Sequence, residues 1–404
     1  MKKIAILLLL ILALGADCAK TKKKKAESQE FLSAKYAVLM DFETGECLFS
    51  KDANKKCAPS SMTKLMTAYL LFSRITNGSV SLNDELQVSE LAQKMPGSRS
   101  FFKAGSSARV EDLIRSIAVH SGNDACIIVA EGLAGDVDAF VAEMNEKAKE
   151  FKLKDTNFVN PTGLPDENHF SSVHDLAVIS RRLISDFPQF YHYFGEKTFR
   201  INEITQQNRN ILLGNSLGVD GIKTGKTKSG GLGISVSAKD GGKRLIAVIN
   251  GCESVKARAK DANKLLAFGF REFISFRIAE AGKPIATAKV WLGVKDQVEL
   301  CTHEDVMASA PRKYGNLLRA EVRLREPINA PVVLGAKLGE LVYVCGNYAS
   351  QKYDLFPCES VERVGFLKRA IASLKYLIFG NETSPQDTKI PLSIQNKSEN
   401  GGGK

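Results

Sequence analysis

Between Cys57 and Phe72 the chain reads CAPSSMTKLMTAYLLF, a polar Ser-Ser-x-Thr-Lys cluster set directly against an apolar run of helical length. With a helix starting near Ser60, Ser61 and Lys64 share a face one turn apart, and Ser60, following Pro59, fits the N-cap position. Upstream, AKYAVLMDFETGECLFS reads as two strands joined through Glu43-Thr44-Gly45. From about Val88 to Ala148 the pattern is mainly helical, most strongly in VEDLIRSIAVHSGNDACIIVAEGLAG. NFVNPTGLPDENHFSSVHDLAVISRRLI predicts a loop with Pro161, Gly163 and Pro165, leading into a helix capped near Ser172. GLGISVSAKDGGKRLIAVING then predicts two strands across an Asp240-Gly241-Gly242 turn, and VKARAKDANKLLAFGFREF a closing helix. Strands at both ends with helices between imply an α/β unit: an antiparallel sheet with a helical lobe.

Near Ala281 the texture changes to short alternating strands with Gly and Pro turns, which predicts a small all-β domain. VERVGFLKRAIASLKYLIFG returns to helical period, with Val364, Leu367, Ile371, Leu374 and Ile378 on one face and Lys368, Arg369 and Lys375 at its edge or opposite. Such a helix suits a membrane interface; packing on the β domain is the alternative. The expected division is a signal peptide (1–19), a basic linker (20–30), an α/β domain (31–278), a β-rich domain (281–360), an amphipathic helix (361–380) and a disordered tail (381–404).

A length of 404 residues accommodates two domains, and 44% hydrophobic with 25% charged residues excludes a multi-span membrane protein. MKKIAILLLLILALGADCAK has the two lysines, apolar run and small residues of a secretory signal, so the mature chain is expected outside the cytoplasm. Cys18 suggests a lipid-attachment site, against which Asp17 is a poor fit. Much of the net charge of +11 sits in Lys20, Lys22, Lys23, Lys24 and Lys25 and between Arg363 and Lys375, which favours an anionic membrane surface. No nucleic acid is expected as a partner, since the chain is exported and lacks a recognition motif. The eight cysteines include no C-x-x-C pair, and the five histidines no H-E-x-x-H arrangement, so neither a metal nor another cofactor is expected. A disulfide between Cys345 and Cys358 is conceivable within the last domain.

The chemistry starts from Ser61 and Lys64. A serine hydroxyl becomes a nucleophile when a base takes its proton, and a lysine serves as that base when burial and neighbouring cations lower its pKa. HSGNDA places Ser121, Gly122 and Asn123 in a turn between helical stretches, and VDGIKTGKTKSGG places Lys223, Thr224 and Gly225 where an edge strand should run. Each motif is weak alone; their order and spacing are specific.

S-x-x-K, then S-x-N, then K-T-G resembles the signature of penicillin-binding proteins and serine β-lactamases. PSSMTKLMT, GSRSFFKAG, NFVNPTGLP, NRNILLGNSLGVDGIKTGKT and RLIAVINGC resemble the low-molecular-mass D-alanyl-D-alanine carboxypeptidases, across nearly everything from Lys35 to Gly380. The resemblance implies that fold, followed by a β domain and an amphipathic helix. It also implies removal of the terminal D-alanine from peptidoglycan stem peptides, acylation by β-lactams, and a periplasmic location at the outer face of the bacterial inner membrane. Ser61 would form the acyl-enzyme with Lys64 as base, and Ser121 would relay a proton to the leaving amine. Asn123 would hold the substrate amide or orient Lys64. Lys223 and Thr224 would take the substrate carboxylate, while Gly225 would let an extended substrate lie close to the strand. Backbone N–H groups of Ser61 and of a residue near Lys226 would hold the oxyanion. Arg258 matches an arginine placed near the carboxylate site, with Arg209 a weaker counterpart.

One departure is Lys226, where this branch often carries a histidine; an extra cation there bears on pH dependence and deacylation. His120 reads as a helix-end residue. A class A β-lactamase would need a deacylating glutamate, for which Glu167 is only a superficial match. An endopeptidase is chemically closer, but related endopeptidases usually lack the β domain. A non-catalytic wall-associated scaffold would be expected to have lost Ser61 or Lys64.

Overall fold

The computed structural model describes residues 31–227, 230–345, 349–379 and 386–392. The signal segment and the basic linker lie outside the described residues. The chain divides into two compact units at Arg271–Glu272.

The first unit is built on five antiparallel strands: β1 (Tyr36–Asp41), β2 (Cys47–Lys51), β3 (Val219–Thr227), β4 (Gly231–Asp240) and β5 (Lys243–Cys252), in the order β2-β1-β5-β4-β3. Five of the six residues of β1 are buried, because helices cover both faces of the sheet. Val38, Met40, Ile246 and Val248 enter the main core with α1 (Lys64–Thr76), α2 (Asn123–Ala134), α3 (Val137–Glu150) and α4 (Val173–Asp186). Leu39 and Leu245 point the other way, onto α5 (Val255–Glu272), where a Cβ on Gly269 would lie 2.6 Å from Leu39 and 2.7 Å from Leu245. The α4 cap is the expected one: Ser172 Oγ accepts from the backbone N–H of Asp175. The K-T-G segment is on β3, an edge strand, as expected.

The second unit contains β6 (Phe273–Ala279), β7 (Ala286–Trp291), β8 (Gln297–Cys301), β9 (Val306–Pro311), β10 (Leu318–Glu326), β11 (Ile328–Asn329), β12 (Gly339–Cys345) and β13 (Ala349–Pro357), then α6 (Phe366–Phe379) and β14 (Gln386–Leu392). Strands β6 and β9 pair with each other; the rest form a sheet in the order β11-β7-β8-β13-β12-β10-β14. Two expectations are corrected here. The β-rich unit begins earlier than 281, because β6 starts directly at the end of α5 with no turn residues to mark the boundary. The tail is not wholly without structure: Gln386–Leu392 adds an antiparallel edge strand to β10, setting Ile390 against Val322.

Cys345 and Cys358 cannot be joined. Cys345 pairs with Ala349 at one end of β13 and Cys358 follows Pro357 at the other, so the strand separates them by about 30 Å. On α6, Phe366, Leu367, Ile371 and Leu374 are all exposed. Among the described residues no helix is long and apolar enough to cross a membrane.

Candidate active site

Ser61 sits on a single 3-10 turn, Ser60–Thr63, that runs straight into α1 at Lys64. Ser60 is not the helix cap: it has φ +53° and its hydroxyl donates to Thr227 Oγ1 on β3 (3.1 Å), tying the turn to the edge strand. Two glycines make this fit possible. A Cβ on Gly163 would lie 1.8 Å from the Ser60 carbonyl oxygen, and one on Gly225 would lie 3.0 Å from the Pro59 carbonyl oxygen and from Ser60 Cβ. The absent side chain of Gly225 therefore makes room for the segment carrying Ser61.

Lys64 is completely buried. Its Nζ donates to Asn123 Oδ1 (2.7 Å), to the Thr162 carbonyl (2.6 Å) and to Ser61 Oγ (3.2 Å). Burial lowers its pKa, and the positive charge of Arg209 adds to that, so the proton on Nζ is held less tightly than on a solvated lysine. Thr162 lies in the N-P-T-G-L loop, which Asn160 shapes by accepting from the N–H groups of Thr162, Gly163 and Leu164 and from the Thr162 hydroxyl. Thr67 Oγ1 donates to the Pro161 carbonyl, holding the loop against α1. A second tie is His169. Its Nδ1 accepts from the Val159 N–H, so its Nε2 carries the proton and donates to Thr63 Oγ1 (2.7 Å). Burial lowers the His169 pKa to about 4.

Ser121 has φ +71°, at the end of a π-helical turn Ser116–His120 and just before α2. Its Oγ is buried and has no hydrogen-bond partner among the described residues. A buried hydroxyl left in this state is free to bond a bound molecule. Asn123 uses both ends of its amide within the protein, since Nδ2 donates to the Pro96 carbonyl (2.7 Å). It therefore orients Lys64, and the second N–H of its Nδ2 is left over for a substrate amide. Asp124 fixes the neighbouring loop by accepting from the N–H groups of Ser100 and Phe101. His120 is more than a helix end: it is buried, bonds Ser100 Oγ (2.8 Å), and burial takes its pKa down to about 4.

Lys223 and Thr224 are both buried on β3, and Lys226 is exposed. Burial pushes the Lys223 pKa well down, with Lys64, Arg209 and Arg258 adding like-charge repulsion. The two arginines differ in setting. Arg258 is buried and braces backbone, donating to the carbonyls of Arg209 (3.1 Å) and Gly233 (3.5 Å). Arg209 is exposed, bonds the His120 carbonyl, and its charge is felt at Lys64, Lys223 and His120. Glu167 is exposed on the loop. The three motifs thus meet around one serine with an excess of positive charge, an arrangement suited to acyl transfer on a substrate bearing a carboxylate.

Residues 23–254 match the family model described as D-alanyl-D-alanine carboxypeptidase, and residues 273–363 match the penicillin-binding protein 5 C-terminal domain. The chain belongs to the D-alanyl-D-alanine carboxypeptidase family. It is 37% identical over 340 residues to the D-alanyl-D-alanine carboxypeptidase DacD of Salmonella typhimurium, covering 82% of this chain and 87% of that protein. Penicillin binding protein 5 from Haemophilus influenzae superposes with a TM-score of 0.79 at 34% identity, over 82% of this chain and 98% of that one. Penicillin-Binding Protein D2 from Listeria monocytogenes, solved in a cefotaxime-bound form, gives 0.55 at 31% identity, over 59% of this chain and 98% of that one.

Proposed function

We propose that the protein is a serine-type D-Ala-D-Ala carboxypeptidase that trims the terminal D-alanine from peptidoglycan stem peptides. The observation that carries the reading is the 3.2 Å contact between Lys64 Nζ and Ser61 Oγ, with a lysine whose pKa burial lowers. Lys64 takes the Ser61 proton as Oγ bonds the carbonyl carbon of the penultimate D-alanine, and the oxyanion is held by the N–H groups of Ser61 and of a residue near Lys226. The C–N bond then breaks and the leaving amine takes a proton through the Ser121 hydroxyl. Water hydrolyses the resulting ester, with Lys64 again receiving a proton. Lys223, Thr224 and Arg209 bind the terminal carboxylate, and the free edge of β3 accepts the extended peptide as an added strand.

β-Lactams acylate the same Ser61, a reading supported by the cefotaxime-bound Listeria relative. The signal segment and the exposed apolar side chains of α6 support a periplasmic protein attached peripherally to the membrane.

The test is release of free D-alanine from a peptide ending in D-Ala-D-Ala. Release by the wild type that vanishes in Ser61→Ala is expected. A folded wild type that releases none but cuts a cross-linked peptide would instead be an endopeptidase.

A further inference from the structure

We infer that Cys301 and Cys358 form a disulfide in the mature protein, stapling the seam between the two halves of the C-terminal sheet. Both thiols are free in the structure. Cys301 is the last residue of β8, buried, and opposite Phe356 on β13. Cys358 follows two residues after Phe356, so its side chain lies on the same face, diagonal to Cys301. The Cys358 N–H donates to the Glu299 carbonyl (2.8 Å), which fixes this register, and the two thiols are close enough to affect each other's titration. A diagonal pair starts about 7–8 Å apart at Cα, so an S–S bond of about 2 Å asks backbone movement, mainly of Cys358, the less buried of the two and beyond the end of its strand.

The place matters. Strands β10–β12 and β12–β13 each pair over seven registered positions, whereas β8 and β13 pair over two, Leu300 with Pro357 and Cys301 with Phe356. This two-position junction joins β11, β7 and β8 to the remaining strands. It also lies eight residues before α6, so a bond there anchors the root of that helix to the body of the domain. The two cysteines are 57 residues apart, a long loop whose closure constrains the unfolded chain strongly.

The chemistry requires an external disulfide as oxidant. The Cys358 thiolate attacks it and expels one thiol; Cys301 then attacks the mixed disulfide and releases the second. Two protons and two electrons pass from the cysteines to the oxidant. Burial, with the neighbouring Cys301 thiol, raises the Cys358 pKa to about 12, so the bond forms while the strands are still open and the folded reduced protein oxidises slowly.

The full chain, exported to a bacterial periplasm and alkylated under denaturing conditions without reductant, is mapped by peptide mass spectrometry. A linked Cys301–Cys358 peptide pair is expected, with a melting temperature for the C-terminal unit that falls by roughly 5–15 °C on reduction and does not respond to reduction in Cys358→Ser. Both cysteines recovered alkylated, Cys358 linked elsewhere, or melting of the linked protein unchanged by reduction would overturn the inference.

Discussion

The carbonyl oxygen of Thr162 accepts a 2.6 Å hydrogen bond from Lys64, closer than the 3.2 Å contact Lys64 makes with Ser61. The amine is thus aimed from behind by a loop nearly a hundred residues away in sequence. Because a carbonyl accepts from either the ammonium or the amine, this bond holds Lys64 in place in both protonation states, as a base that must cycle between them requires.

That loop reaches Ser61 through Gly163. At φ +82°, with its Cβ position 1.8 Å from the Ser60 carbonyl oxygen, Gly163→Ala combines left-handed strain with a backbone clash. A loss of roughly 2–4 kcal/mol in urea unfolding is expected, together with lower acylation of Ser61. Wild-type stability in the variant would contradict this packing.

The proposed binding of the carboxylate by Arg209 is checked against the bracing role of Arg258. Arg209→Ala is expected to lower kcat/KM roughly 10–100-fold, mainly through KM, with stability unchanged. Arg258→Ala removes the buried donor to the Arg209 and Gly233 carbonyls and is expected to cost about 1–3 kcal/mol of stability. Steady-state kinetics beside thermal melting of both variants checks the division; the reverse pattern would restore Arg258 as the carboxylate residue.

His169 makes stability depend on pH. Its folded pKa of about 4 lies below the ordinary 6.5, so between these values the unfolded chain binds the extra proton. Its contribution is complete above pH 6.5 and is lost as pH falls toward 4, on the order of 2 kcal/mol by pH 5. Urea midpoints at pH 7.5 and 5 are expected to differ less in His169→Gln than in the wild type. His120, with a pKa also near 4, leaves a residual slope of the same sign.

The exposed face of α6 bears on attachment. Changing Phe366, Leu367, Ile371 and Leu374 together to Gln is expected to weaken binding to anionic phospholipid vesicles at least tenfold, leaving hydrolysis of soluble peptides unchanged. Undiminished vesicle binding would rule out this helix as the anchor.

What was legible in the chain follows from how each residue acts. Ser61, Lys64, Ser121, Asn123 and Lys223 act through side chains in spaced motifs, and their convergence could be read before any fold was known. Thr162 acts through its carbonyl, which any residue would supply, so only the Asn160 and Gly163 around it carried a signal. The packing role of Gly225 carried no signal because its neighbour in space, the Pro59–Ser60 turn, is far away in sequence. The same holds for β14, whose polar sequence carries no strand period of its own and which depends on pairing with β10.

The central claim is that Lys64 takes the proton from Ser61, and the rate of Ser61 acylation by a penicillin, followed by mass spectrometry across pH, tests it most directly. In the wild type the rate should rise with pH as Lys64 loses its proton. In Lys64→Met, which keeps the buried volume and removes the base, acylation should fall at least about a thousandfold while thermal melting confirms a folded protein. Acylation of a folded Lys64→Met variant at near the wild-type rate, with the same pH dependence, would contradict the account.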